Sequence, residues 1–83
     1  IIQENGKFIV NVNGNVKLNN RELNRIPFNF GIVSGDFDCS YNKLTSLEGA
    51  PSEVGRSFYC GFNPIKFTVE DVKNTKIGGG FKS

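Results

Sequence analysis

Histidine, tryptophan and methionine are absent from this chain of 83 residues. Without histidine the commonest general acid–base group is missing, so proton-transfer chemistry would have to rest on carboxylates. An excess of one charge is lacking too: ten Lys and Arg against eight Asp and Glu leave a net charge of +2. The cations are scattered from Lys7 to Lys82 and form no basic stripe of the kind that tracks a phosphate backbone. Nucleic acid is therefore not an expected partner. No apolar run is long enough to span a bilayer as a helix, and neither a signal-peptide pattern nor an Asn-x-Ser/Thr site occurs. A membrane partner is not expected, and an intracellular location is.

What the chain does have is a repeat. Asp36-Phe37-Asp38-Cys39-Ser40-Tyr41-Asn42-Lys43-Leu44 falls on Ser57-Phe58-Tyr59-Cys60-Gly61-Phe62-Asn63-Pro64-Ile65 at an offset of 21 residues. A weaker copy, Asn15-Val16-Lys17-Leu18-Asn19-Asn20-Arg21-Glu22-Leu23, lies the same distance upstream. Such a period means one small unit stacked on itself, because a single unit has no core of its own. Val16, Phe37 and Phe58 form one apolar column, and Leu18, Cys39 and Cys60 a second on the same side of the strand. Leu23, Leu44 and Ile65 make a third, Ile26 and Leu47 begin a fourth, and Val33 and Val54 close the return segments.

Cys39 and Cys60 occupy equivalent places, which puts them side by side at about 4.8 Å strand spacing. That separation permits a bridge, but parallel side-chain vectors suit disulfide geometry poorly. Burial as small apolar side chains is the expected role. Asn42 and Asn63 stand where the chain leaves the strand, where an amide side chain bonds backbone groups freed by the turn. Arg21 holds that place in the first unit and predicts a less regular turn there.

The ends read differently from the middle. Asn5-Gly6 and Asn13-Gly14 match the type I′ filling of tight hairpins, predicting an antiparallel cap over residues 1–14 before a repeat stack over 15–67. Phe67-Thr68-Val69-Glu70-Asp71-Val72 carries a helix start, with Thr68 as N-cap, acids in the first turn and Phe67 stapled to Val72. A short capping helix is expected over 68–77. Gly78-Gly79-Gly80 then predicts a flexible tail over 78–83. The whole is one domain, mainly β: a parallel-strand solenoid of about three 21-residue units with an N-terminal hairpin cap and a short C-terminal helix.

The string Asp36 to Pro51 resembles short leucine-rich repeats of tailed-bacteriophage proteins and, more loosely, the short repeats of bacterial effector proteins. Phe37, Cys39, Asn42, Leu44 and Leu47 match that pattern, as do Phe58, Cys60, Asn63 and Ile65. Arg21 departs from it, and so does Thr68, where a Leu is expected. The resemblance covers Asn15 to Lys66. It implies a strand ladder lining one face of a short curved solenoid, a role in binding other proteins, and no catalytic residues.

Function is therefore expected on the outward side of the ladder. Lys17, Asp36, Asp38, Tyr41, Tyr59 and Phe62 are the candidate partner-binding residues, with the aromatics as anchors. Asp36 and Asp38 also suggest calcium, but Lys17 in the same row opposes a cation, and neither metal nor cofactor is expected. The triple glycine lacks the strand before it and the helix after it that a phosphate-cradling loop needs. The expected protein is a non-catalytic interaction module, phage-encoded and binding a host protein. The alternative is self-assembly, as a homodimer through an incompletely covered last strand, Ser57–Phe62, or as a virion accessory.

Overall fold

Phe37 opposes Phe58 and Val16 opposes Phe37 in parallel register, so the 21-residue period of the sequence is the pitch of a solenoid. The computed structural model describes residues 2–4 and 7–83, with side chains from Phe8 onward. Its strands are β1 (Ile2–Glu4), β2 (Lys7–Val12), β3 (Val16–Lys17), β4 (Asn29–Val33), β5 (Phe37–Asp38), β6 (Glu53–Val54), β7 (Phe58–Tyr59), β8 (Lys76–Ile77) and β9 (Phe81–Lys82). Each of about four turns contributes one strand to each of two parallel sheets. The first runs β1-β2-β4-β6-β8, with β1 antiparallel on β2, and the second runs β3-β5-β7-β9.

The core lies between the two sheets. Val33 and Val54 face it from the first, and Phe37, Phe58, Cys39 and Cys60 from the second, all fully buried. Phe30 adds to the core from β4 of the first sheet, and Ile26, Leu44 and Phe67 join it from the segments between strands. Phe30, Phe37, Phe58 and Phe81 form a continuous aromatic spine, with ring centroids 5.2 Å, 5.2 Å and 5.9 Å apart in succession. Of the expected columns only the third fails in part: Ile65 is 44% exposed.

Four expectations change. The return segments are strands of a second ladder, since Ile32 and Val33 pair with Glu53 and Val54, which pair with Lys76 and Ile77. Asn13-Gly14 is not a hairpin but the corner between the two sheets. The Val16 and Leu18 amides donate forward to the Asp36 and Asp38 carbonyls instead of folding back on β2, so only β1 caps the stack. The Asn5-Gly6 turn lies outside the described residues.

At the other end, the expected helix is a single 3-10 turn, Val69–Val72. Its start is as anticipated: the Thr68 amide donates to Asp71 at 2.8 Å, and Phe67 and Val72 are both buried. It stops there because the chain must return to the first sheet, where the Lys76 amide bonds the Ser52 carbonyl and the Thr75 hydroxyl donates to Pro51 O. The expected flexible tail is the fourth rung. Phe81 and Lys82 pair in parallel with Phe58 and Tyr59, so the strand Ser57–Phe62 is covered along Phe58–Tyr59. The glycines ahead of β9 serve close approach: a Cβ on Gly78 would run into the Gly55 carbonyl oxygen, and one on Gly55 into that of Ser34.

Candidate functional site

Three equivalent positions, Asn20, Tyr41 and Phe62, hold the left-handed backbone conformation, with φ of 57°, 56° and 57°. Each sits at the exit of a strand in the second sheet, where the chain turns out of the ladder. Asparagine adopts this conformation readily, whereas for most other L-residues it costs about 1–2 kcal/mol. Stacking in register places the Tyr41 and Phe62 rings face to face, with centroids 4.4 Å apart and planes 8° from parallel. Tyr41 is 52% and Phe62 74% exposed, so the pair forms a ridge on the surface. Tyr59 lies beside it, and with Ser40, Gly61 and Lys82 the three aromatics line an open hollow of about 250 Å³.

Lys17, Asp38, Tyr59 and Lys82 form one row across the second sheet, one residue per turn. Asp38 is turned inward on its own loop, accepting from the Ser40 amide at 3.0 Å and from the Ser40 hydroxyl. Five of the six expected residues therefore share this face.

Asp36 stands apart from them. It belongs to a corner column in which each side chain accepts from the equivalent amide of the next turn: Asn15 from Asp36 at 2.8 Å, Asp36 from Ser57 at 2.9 Å and Ser57 from Gly80 at 3.3 Å. Its carboxylate joins one turn to the next. Lys82 is the residue that sequence reasoning missed. Its signal was Phe58-Tyr59 recurring as Phe81-Lys82, but at 23 residues and not 21.

The asparagines are interior fastenings. Asn42 is buried, accepts from the Arg21 and Leu23 amides and donates to the Leu18, Cys39 and Ser40 carbonyls. Asn63 repeats the arrangement one turn on, accepting from Leu44 and donating to Cys39, Cys60 and Gly61. In the first turn, Glu22 as well as Asn20 has positive φ, the irregularity expected where Arg21 replaces asparagine.

Cys39 and Cys60 are free and buried. Burial, then the neighbouring Cys60 and Asp38, drives the Cys39 thiol far above its ordinary value. Burial, then Asp71, pushes the Cys60 thiol up to about 11. Thiol reagents at pH 8 are expected to label neither until the chain unfolds. Raised folded values also make the thiols' contribution to stability complete below the ordinary value of 9.0 and lost as pH climbs toward 11. The free energy of unfolding, measured in urea, should fall over that window by up to about 1.4 kcal/mol per pH unit per thiol. Cys39→Ala/Cys60→Ala should remove the slope.

Another hollow, about 500 Å³, lies among the return loops between Arg25, Pro27 and Phe28 on one side and Thr45, Ser46 and Glu48 on the other. Among the described residues, no three His, Cys, Asp or Glu side chains gather as a metal-binding group, and no helix is long and apolar enough to cross a membrane. No known protein family, curated protein or solved structure matches the chain.

Proposed function

We propose that this protein is a non-catalytic interaction module that binds another protein through the Tyr41–Phe62 ridge and Tyr59. The observation carrying this reading is that two aromatics occupy left-handed backbone positions on the surface. Together they strain the backbone by about 2–4 kcal/mol, while a stacked aromatic pair returns about 0.5–1.5 kcal/mol. Asn20 holds the same conformation in the first turn without that strain. Stability alone would therefore favour asparagine at 41 and 62, and exposed aromatic anchors are what protein interfaces use. The resemblance of Asp36–Pro51 to phage leucine-rich repeats supports a phage-encoded protein whose target is a host protein.

The backbone argument also supplies a clean test. Tyr41→Asn/Phe62→Asn should leave the urea midpoint unchanged or raise it, because asparagine suits both positions. The same double variant should lose whatever protein the unaltered chain captures specifically from bacterial lysate. Capture that is equal for the two proteins would refute the assignment of this face. Self-assembly gains no support from the strand first suspected of it, since β9 pairs with β7.

A further inference from the structure

We infer that the segment bound on this face is an extended, acidic peptide lying along the stacking axis. It carries an aromatic or aliphatic side chain against the ring edges and a carboxylate at each end, one toward Lys17 and one toward Lys82. This deepens the protein-binding reading and rests on it.

The first argument is charge. Asp38 is the one acid in the row, and its carboxylate accepts from the Ser40 amide and hydroxyl, while Glu22 is paired with the Lys43 ammonium at 3.5 Å. Lys17, Arg21 and Lys82 have no acidic partner among the described residues. The row's net charge is still positive, because Lys17 and Lys82 at its two ends outweigh Asp38, and Tyr59 lies between them. Complementary charge on a partner would set orientation and register more than raw affinity.

Geometry narrows the ligand further. Lys17 and Lys82 are three strand spacings apart in one row, about 14 Å at 4.8 Å per strand. An extended chain rising about 3.3 Å per residue covers that span in roughly four residues. Asp38 lies between the lysines and repels an acid placed over the centre. The matching sequence therefore has two acids about four residues apart, with uncharged residues between them. A nucleic-acid strand fits less well. The Tyr41 and Phe62 rings already touch face to face, leaving no slot for a base, and the cations form no continuous track for phosphates.

The test is fluorescence anisotropy on the full chain with three labelled probes. One is a decapeptide with two Glu four residues apart and Tyr between them, the second has Lys in place of both Glu, and the third is an oligothymidine. The acidic peptide should bind at least about tenfold more tightly than its lysine counterpart. K17E/K82E should reverse that preference, and Y41N/F62N should weaken both peptides. Equal binding of the two peptides, no binding of the acidic one, or tighter binding of the oligothymidine would each overturn the inference. The two levels separate in lysate capture. A partner kept by K17E/K82E but lost by Y41N/F62N removes the charge assignment and leaves the face, whereas a partner kept by Y41N/F62N removes both.

Discussion

Asn42→Ala is expected to lower the free energy of unfolding by about 3–5 kcal/mol, one of the two largest single-residue effects in the chain. A domain of this size holds only about 4–12 kcal/mol in total. The side chain accepts from two amides and donates to three carbonyls, spanning two turns of the solenoid. Alanine leaves the Arg21 and Leu23 amides and the Leu18 carbonyl without partners, while the Cys39 carbonyl keeps Asn63 and the Ser40 carbonyl keeps the Asn20 amide. Each orphaned buried group costs about 1–3 kcal/mol. Asn42→Asp separates the two halves of the argument. It keeps the acceptor for Arg21 and Leu23 but turns a carboxylate toward the Leu18, Cys39 and Ser40 carbonyls. It should be nearly as damaging as alanine at pH 7. Urea unfolding of the three proteins measures this, and an alanine variant within 1 kcal/mol of the parent would show that the fastening contributes little.

Phe37→Ala should cost about 3–5 kcal/mol by the same measurement, through lost burial and the cavity left behind. Its ring is fully buried, with Phe30 and Phe58 each 5.2 Å away by centroid. Phe81→Ala, in the same column, should cost only about 1–2 kcal/mol, because Phe81 is half-buried and meets the spine on one side alone. The gradient is the informative part. In a stack where each turn touches only its neighbours, an interior rung contributes two interfaces and a terminal rung one. Equal losses at 37 and 81 would mean that the core behaves as one undivided cluster.

Much of this architecture was legible from residue spacing. The offset of 21 residues placed Phe37 over Phe58 and Cys39 over Cys60, and both pairs are buried in adjacent strands. The asparagine at the strand exit was recognisable because its side chain alone offers both donors and an acceptor at a turn. The later turns of the first sheet were hidden because its strands there are two residues long, too short for any alternation to show. The fourth turn was hidden by the two extra residues around the Val69–Val72 turn, which put it out of phase with the period. Gly78-Gly79-Gly80 signalled flexibility by composition, whereas Gly78 and Gly79 let one backbone pass close over another.

The candidate face divides along the same line. Lys17, Asp38 and Tyr59 belong to one row by simple counting, and Tyr41 and Phe62 to the next, so their proximity followed from the period. Counting says nothing of whether a side chain is free. Asp36 and Asp38 look alike in sequence, yet one joins two turns at a corner and the other holds its own loop. The chain's order of residues determined the pitch, the apolar columns and the fastening asparagines, because each depends on local chemistry repeated at one interval. Three-dimensional packing alone decided which acids are engaged and that Lys82 completes the row. It also decided that two aromatics stand stacked on strained backbone, since all three depend on contacts between turns that no single repeat contains.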